Sequence, residues 1–312
     1  KLINSNRFNL RLIVESDIQK HQNIKELGIV PLMNFDEMLK DTTIEAVILT
    51  TPNHLHDTQV FKCALNGKHV FCEKPLSLTS KCARSSVNVC KKNNVILGVG
   101  HERRFEPAIK FMKDLIDKEV LGTIMHAEMA FSHDKLISIP LDSWRQSSSK
   151  APAAGMTQMG IHLTDLLIWM FGKVVSVQAI TTSRSLNWET GDSITVQLMF
   201  KKGMTATFQS ILHTPFFLRS HIFGSSQWVE VRNSKHPDAQ DGIANMDISI
   251  SGEKIKRTEF KWEDTVLLNL LEFADAIRGK STYPFSEFEL IHNIEVLEAI
   301  INAANSKSTI HI

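Results

Sequence analysis

The residues best suited to chemistry begin with an acid, a base and a proline in succession, Glu73-Lys74-Pro75. They end a short apolar run, residues 70–72, which is typical of a buried strand. Ligands collect at the carboxyl ends of strands in a parallel sheet, so these side chains are placed to bind one. Because proline restricts the residue before it to extended conformations, the backbone sets the direction of Lys74. The sequence therefore predicts a ligand site at this strand end.

A second stretch, residues 155–169, is typical of a helix and carries Gln158, His162 and Asp165. Spacings of four and three residues place these side chains on one helix face. Histidine titrates near neutral pH and can take a proton from a hydroxyl group. An ammonium near the same oxygen would stabilise the alkoxide that forms and favour a neutral imidazole. We assign His162 as general base and Lys74 as its electrostatic partner, and the reverse assignment stays open.

Structural roles are the alternatives at both stretches. Glu73 and Lys74 would then only solvate a loop, and His162 would be a half-buried residue whose polar atoms are satisfied. Asp165 is the nearest carboxylate that could serve His162, and its alternatives are to bind substrate or to cap the helix locally. Gln158 can hydrogen-bond a substrate hydroxyl or orient His162, but an amide holds no charge and relays no proton.

Together the two stretches resemble a known family. A strand followed by Glu-Lys-Pro, with Thr51-Pro52-Asn53-His54-Leu55-His56 upstream, resembles the glucose–fructose oxidoreductase / inositol dehydrogenase / MocA (Gfo/Idh/MocA) family of nicotinamide-dependent oxidoreductases. The helix resembles the second signature of that family, Asp-x-x-x-His with a further Asp three residues on. The chain departs from this signature, because Gln158 stands where the family usually has Asp.

The resemblance implies an NAD(P)-dependent oxidoreductase that transfers a hydride between nicotinamide and a secondary hydroxyl or carbonyl group of a sugar, polyol or related compound. It implies NAD as cofactor, with NADP possible, and no metal. Gln158 puts in doubt a polyol substrate that is recognised by the usual Asp–His pair. A second function therefore stays open: a catalytically silent family member that binds cofactor or sugar as a sensor or regulatory protein. Retention of Lys74 and His162 favours the enzyme.

The resemblance also implies which residues contact the ligands. Structural roles are again the alternatives: Glu102 and Arg103 would form the charged start of a helix, and Asn53 would be a helix N-cap. Arg145 also suits an anionic group of the substrate. The implied cofactor contacts are Glu15, Thr50, Thr51, Pro52, Asn53, His56, Glu73, Lys74, Glu102, Arg103, Trp144 and Arg145. The implied catalytic residues are Lys74, His162 and Gln158, and the implied substrate contacts are Lys74, Gln158, His162 and Asp165.

Near the start of the chain, a predicted strand at residues 8–14 is followed by Glu15. In a dinucleotide-binding fold, the acid after the second strand binds ribose hydroxyls, and a Gly-rich turn precedes it by about 20 residues. We therefore expect the first strand and this turn, about 25 residues, to be absent from this sequence. Glu15 would favour NAD by repelling a 2′-phosphate, and Asp17 would cap the next helix. Gly98-Val99-Gly100 is no substitute, because Arg103 replaces the third glycine.

Up to about residue 100, short apolar runs alternate with helical patterns, as βα units do. We predict a Rossmann-type parallel sheet in an N-terminally incomplete dinucleotide-binding domain, residues 1–100. Residues 101–312 contain strand-like runs without interposed helices, which favours an α+β domain with a large, mainly antiparallel open sheet for substrate binding and oligomer contacts. The predicted strands are 124–131, 174–182, 193–200, 204–210, 228–231, 247–251 and 255–260, and helices 265–279 and 287–304 close the chain.

The composition excludes several classes of protein. Of 312 residues, 43% are hydrophobic and 22% charged, which is typical of a globular chain. A net charge of +1 disfavours nucleic acid as a partner, and no apolar run is long enough for a bilayer. Four cysteines at spacings that match no metal motif predict reduced thiols in a cytoplasmic protein. The expected partners are a small-molecule substrate and, by resemblance, further copies of the chain in a homodimer or homotetramer formed through the C-terminal sheet.

Overall fold

The amino-terminal part of the chain alternates parallel strands with helices, as predicted. The computed structural model describes residues 2–140 and 142–312. The first elements are β1 (Leu12–Val14), α1 (His21–Glu26), β2 (Val30–Leu32), α2 (Phe35–Leu39), β3 (Ala46–Leu49), α3 (His56–Leu65), β4 (His69–Cys72), α4 (Ser80–Lys92) and β5 (Leu97–Val99). β1 is shorter than the predicted strand at residues 8–14, since regular pairing with β2 begins only at Leu12.

These strands form two parallel ladders. β1 pairs with β2, and β4 lies between β3 and β5. Among the described residues, no strand pairs with the edge of β3 that is remote from β4. Ala46, Val47 and Ile48 are accordingly only half-buried, although the sequence predicts a strand covered on both faces.

Polar residues before the helices determine where the helices begin. As predicted, Asp17 is a cap: its side chain accepts a hydrogen bond from the N–H of Gln19 at the start of a 3₁₀ helix that leads into α1. Thr79 accepts from the N–H of Cys82 at the start of α4. Such caps satisfy N–H groups that have no partner within the helix.

The rest of the chain builds a second, larger sheet. Its elements are α5 (Pro107–Asp117), β6 (Ile124–Ser132), α6 (Gly160–Phe171), β7 (Val174–Thr182), β8 (Ser193–Phe200), β9 (Thr205–Ile211), β10 (Phe217–Gly224), β11 (Gln227–Asn233), β12 (Ile243–Ile250), β13 (Lys256–Lys261), α7 (Thr265–Ile277), α8 (Glu287–Ser306) and β14 (Ile310–His311). In the described chain the strand order is β13-β12-β11-β10-β6-β9-β8-β7-β14. Only β6 and β9 run parallel, so the prediction of a large, mainly antiparallel sheet is confirmed.

Helices cover one face of the larger sheet and leave the other open. In β8, Ile194, Val196 and Leu198 are buried, whereas Thr195 and Gln197 are exposed. α6 packs against β6 and β9, and α8 packs against β7. This alternation is typical of an antiparallel sheet with one solvated face. Within residues 2–140 and 142–312, no helix combines the length and the apolar character needed to cross a bilayer.

His292 of α8 joins the two parts of the chain. Its Nε2 accepts a hydrogen bond from the N–H of Val174 in β7 at 2.9 Å, and its Nδ1 lies 2.7 Å from the carboxylate of Glu295. Glu295 is in turn ion-paired with Arg84 of α4. Because Nε2 accepts, Nδ1 carries the proton and the ring is neutral. Burial likewise lowers the pKa of His292.

Candidate active site

The loops after β3, β4 and β5 meet at one edge of the parallel ladder, as parallel strands require. Thr51 follows β3, Glu73 and Lys74 follow β4, and Gly100 follows β5. The N–H of Gly100 donates to the carbonyl of Cys72 at 2.9 Å, so the ladder continues past the strand ends. This edge is the expected position for a ligand.

His56 fastens two of these loops together. Its Nε2 lies 2.8 Å from the carbonyl oxygen of Thr51, and its Nδ1 lies 2.7 Å from that of Pro75. The ring is fully buried, and burial lowers its pKa. The neutral ring donates to one of these two carbonyl groups, and because it has no open surface, His56 supports the loops rather than offering the cofactor contact that the resemblance implies.

The other residues of the loop after β3 differ in accessibility. Thr50 is exposed, Pro52 is half-buried and Asn53 is buried. The hydroxyl of Thr51 donates a hydrogen bond to the side-chain oxygen of Gln59. Pro52 holds the N-cap position of the 3₁₀ helix that follows, and no side chain caps that helix. Asn53 therefore does not fill its alternative role as an N-cap, and Thr50 is the most open of the implied contacts in this loop.

Lys74 points its ammonium at the segment before α6. Its Nζ donates to the main-chain oxygen of Gln158 at 2.6 Å, and it takes part in no ion pair among the described residues. Burial lowers the pKa of Lys74. Burial, with the nearby charge of Glu102, raises the pKa of Glu73 to about 7. A Cβ on Gly100 would lie 2.7 Å from Oε2 of Glu73, so only glycine leaves room for this carboxyl group.

His162 lies in the first turn of α6 and is 3% exposed. Its Nδ1 is buried without a hydrogen-bond partner and lies 3.9 Å from Oε2 of Glu102. Burial, together with the charges of Lys74 and Arg103, holds the pKa of His162 well below its ordinary value. The imidazole is therefore neutral at physiological pH and can accept a proton, as a general base must.

Gln158 does not share a helix face with His162, because α6 begins only at Gly160. The prediction of a common face is wrong: the chain turns at Gln158 instead of continuing as helix. The amide of Gln158 donates to the carbonyl of Arg145 at 3.4 Å and accepts from the hydroxyl of Thr157 at 3.1 Å. Its side chain thus supports the neighbouring loop, while its main-chain oxygen holds the lysine of the site.

Trp144 and Arg145 lie in that loop, in the 3₁₀ helix Trp144–Gln146. The Arg145 guanidinium lies 4.4 Å from the ring centroid of Trp144. Arg145 forms no ion pair within the described part of the chain, and partial burial lowers its pKa. A half-buried cation without a counter-charge suits an anionic or strongly polar group of a ligand.

Arg103 lies between two carboxylates, 3.0 Å from Glu102 and 3.1 Å from Glu106, and is 5% exposed. The 3₁₀ helix Glu102–Phe105 carries both members of the first pair. Glu102 therefore lies beside His162, whereas the side chain of Arg103 is enclosed by the protein. Of the two implied ligand contacts, Glu102 is the better placed.

Asp165 is engaged elsewhere. Its two carboxylate oxygens accept from Nε and Nη2 of Arg104 at 2.8 and 2.6 Å. Asp165 is 2% exposed, and Arg104 also contacts Glu289 at 3.2 Å and lies 4.2 Å from the ring centroid of Phe285. The expectation that Asp165 serves the base or binds substrate is not met in this structure, because a bidentate arginine occupies both oxygens.

We expect Asp165→Asn to lower the free energy of unfolding by about 3 kcal/mol, because it leaves the buried guanidinium of Arg104 with one charged partner fewer. Denaturant unfolding followed by circular dichroism measures this change. Asp114→Asn is the matched control: Asp114 pairs with Lys118 on the surface, with 47% of its side chain exposed, and exposed pairs contribute little. Equal, small shifts for both variants would contradict the structural role of Asp165.

The structure adds a group of residues that the sequence does not single out. His101 packs edge-on against His162, with ring centroids 6.0 Å apart. His133 follows β6 and His236 follows β11, and their ring centroids are 5.4 Å apart. The sequence analysis looked for polar residues directly after strands only in the parallel sheet. The same criterion applied to β6 of the second sheet finds His133. No cluster of three or more potential metal ligands occurs among residues 2–140 and 142–312.

The stability of the fold should fall as the pH drops below about 6.5, the usual pKa of histidine. Burial lowers the pKa of His133 to about 4. The folded state therefore favours the neutral form of His133. This preference contributes its full stabilisation above the pKa of the unfolded state, about 6.5, and loses it as the pH falls towards about 4. Glu73, with its pKa raised to about 7, opposes this trend between about pH 4.5 and 7.

Denaturant midpoints measured from pH 7.5 to 4.5 check this expectation. We expect His133→Gln to flatten the loss of stability on acidification, and the exposed control His54→Gln to leave it unchanged. The same slope in the His133 variant as in the wild type would contradict it.

Glu15 follows β1, in the separate two-stranded ladder. Its carboxylate accepts from the N–H of Asp17 at 2.9 Å and lies 3.5 Å from Nζ of Lys20. The side chain is 27% exposed, so it is open to a ligand hydroxyl. Lys20 reduces the negative charge at this point, which weakens the preference against a 2′-phosphate.

Comparisons with known proteins agree with this geometry. Residues 1–101 match the model "Oxidoreductase family, NAD-binding Rossmann fold", and residues 109–230 match the model "GFO/IDH/MocA C-terminal domain". An uncharacterized oxidoreductase of Streptococcus pneumoniae is 32% identical over 157 residues, which is 50% of this chain and 42% of the relative. Myo-inositol 2-dehydrogenase of Thermotoga maritima is 28% identical over 223 residues, 70% of this chain and 63% of the relative.

The fold has close structural neighbours. A putative NADPH-dependent oxidoreductase from Desulfitobacterium hafniense superimposes with a TM-score of 0.88 at 22% identity, covering 98% of this chain and 91% of the neighbour. The chain spans about half the length of the first curated relatives that it matches, 42%, 55% and 43%. Both halves of the fold, the two family models and the residues at the strand ends agree, and the chain belongs to the Gfo/Idh/MocA family of oxidoreductases.

Proposed function

We propose that this protein is an NAD(P)-dependent oxidoreductase that interconverts a secondary hydroxyl and a carbonyl group on a sugar, polyol or related compound. One observation carries the proposal: a buried, neutral His162 and the ammonium of Lys74, which has no ion-pair partner among the described residues, come together at the carboxyl edge of the parallel strands. The name of the Thermotoga relative, an inositol dehydrogenase, supports a polyol as substrate.

In the proposed oxidation, the substrate carbon loses a hydride and the hydroxyl group loses a proton, so a carbonyl group forms. When bound, the oxidised nicotinamide supplies the hydride acceptor. His162 takes the proton, and two observations support this role: burial keeps its imidazole neutral, and its Nδ1 has no hydrogen-bond partner among the described residues. Lys74 faces the oxygen with its ammonium and stabilises the negative charge that develops there.

The residues present fit a nicotinamide cofactor. Glu73, Lys74 and Thr50 lie at strand ends of one ladder edge, where the doubly wound fold binds dinucleotides. Trp144 offers an aromatic surface, and Arg145 places near Lys74 a guanidinium that forms no ion pair within the described residues. NAD is the proposed cofactor. NADP stays the alternative, because Nζ of Lys20 lies 3.5 Å from the carboxylate of Glu15, the acid after β1.

We further infer that the chain divides near residue 100 into a dinucleotide-binding domain, residues 1–100, and a substrate and oligomerisation domain, residues 101–312. The open face of the larger sheet supports a homodimer or homotetramer. On this face Arg219 pairs with Glu128 at 2.6 Å, and His221 lies 5.1 Å from the ring of Trp228. Arg219 and His221 are only partly buried in the single chain, so a second copy can pack against them. Sedimentation equilibrium of wild type and Trp228→Glu tests this assembly.

The proposed activity is tested by incubating the full-length protein with NAD⁺ or NADP⁺ and a panel of cyclitols and sugars that includes myo-inositol. We expect substrate-dependent appearance of reduced nicotinamide, at a rate reduced by about 10²- to 10³-fold in Lys74→Met. Binding of the cofactor without turnover of any compound would instead favour the catalytically silent sensor, to which the neutral amide of Gln158 points. Absence of both binding and turnover would contradict the oxidoreductase.

A further inference from the structure

We propose that His236, held by Asp238, is a further substrate-contacting residue of this site and hydrogen-bonds a second hydroxyl group of the substrate through Nε2. Both residues lie in the connection between β11 and β12. The inference rests on the proposed function, because it assigns a contact to the same substrate.

Asp238 holds Nδ1 of His236 in either tautomer. This nitrogen lies 3.1 Å from Oδ2 and 3.2 Å from the main-chain nitrogen of Asp238. Arg103 lies 3.8 Å from the same carboxylate, and Trp262 donates from Nε1 to the carbonyl of Pro237 at 2.6 Å. The connection is thus anchored at Pro237, between the two residues, and at Asp238 itself. Nε2 of His236 is the ring nitrogen left without a partner among the described residues.

A phenylalanine ring links this pair to the proposed base. The ring centroid of Phe131 lies 6.3 Å from that of His162 and 5.6 Å from that of His236. His133 lies 5.4 Å from His236 on the same side of the sheet end. The two histidines therefore border one site, one from α6 and the other from the β11–β12 connection.

A series of charged side chains also runs between the same two histidines. Arg103 contacts Asp238 at 3.8 Å and Glu102 at 3.0 Å, and Glu102 lies 3.9 Å from Nδ1 of His162. Arg103 is buried, so this arrangement is rigid and sets the spacing between the two imidazoles. A rigid spacing between two hydrogen-bonding groups is what selects one arrangement of hydroxyl groups over another.

The exposure of the two histidines fits different tasks. The side chain of His162 is 4% exposed and that of His236 is 14% exposed. A hydroxyl group both donates and accepts, so it satisfies Nε2 of His236 in either tautomer. A polyol carries several such groups: His162 takes the proton of the one that reacts, and His236 contacts another.

Two substitutions separate a ligand contact from a role in the loop. His236→Asn keeps an acceptor near Nδ1, where it can hold the main-chain N–H of Asp238, and removes Nε2. His236→Gln extends its amide to the position of Nε2. We expect the asparagine variant to raise KM for the active polyol about tenfold, the effect of one lost hydrogen bond, and the glutamine variant to raise it less. The reverse order, or an unchanged KM in His236→Asn, would overturn the inference.

A measurement without turnover separates this inference from the proposed function. In ¹⁵N-histidine-labelled protein carrying His162→Asn, the ring signals of His236 are followed while myo-inositol and the rest of the panel are added. A saturable shift supports the contact, and Asp238→Asn should change the tautomer ratio in the same spectra. No saturable shift with any compound overturns the contact, even if the wild type proves to be an active enzyme.

Discussion

Lys74→Met should reduce kcat/KM by about 10²- to 10³-fold, which is typical for loss of a preorganised group that stabilises developing negative charge. Methionine approximates the length of the side chain, so the packing around β4 is largely kept while the charge is lost. The effect should be large because Nζ has no carboxylate partner in the described chain and is held at 2.6 Å by a main-chain oxygen. Its charge is therefore available to the substrate.

Initial rates at saturating cofactor measure this change, and Lys118→Met is the control. Lys118 is 64% exposed and pairs with Asp114 on the surface, so the control should behave as wild type. Full activity of Lys74→Met would show that the lysine only solvates the loop after β4.

His162→Asn should reduce kcat by about 10²- to 10⁴-fold, the usual contribution of a positioned general base. Asparagine preserves a polar group in the first turn of α6 but cannot take the proton. Burial and the charge of Lys74 hold the pKa of His162 well below its ordinary value, so the wild type should keep its activity well into the acid range. Activity should decline there only as the imidazole is protonated.

The pH dependence of kcat also decides between the two role assignments. If His162 is the base, Lys74→Met is slow but retains the acid limb, and His162→Asn loses it. The opposite pattern, with the acid limb lost in Lys74→Met alone, would assign the proton transfer to the lysine.

Strand ends could be predicted well from the sequence. Glu73 and Lys74 follow a strand that ends in the apolar run 70–72, and the structure places both at the expected edge. Two strands of the second sheet, Val174–Thr182 and Ser193–Phe200, also have the predicted bounds. Local periodicity carries this information, because the side-chain period of a strand does not depend on distant residues.

Partners distant in sequence could not be predicted. Asp165 was expected to lie near the base, but Arg104, 61 positions away, occupies both of its oxygens. Gln158 precedes the helix that it was expected to join. β10 was not predicted, because Arg219 and Ser220 interrupt its apolar pattern. Its place inside the sheet follows from its pairing with β6 and β11. The Asp165 error concerns a tertiary contact, whereas the errors at Gln158 and β10 concern where a helix begins and how a strand is recognised.

The most direct test of the account is a fluorescence titration of the full-length protein with NADH and with NADPH. We expect saturable tryptophan quenching and energy transfer to the nicotinamide with at least one of them, at a Kd below about 1 mM. Trp144→Phe should weaken the energy transfer while leaving the Kd nearly unchanged. The preferred cofactor would also report on Glu15. No saturable response to either cofactor would contradict the central claim that this site works with a nicotinamide.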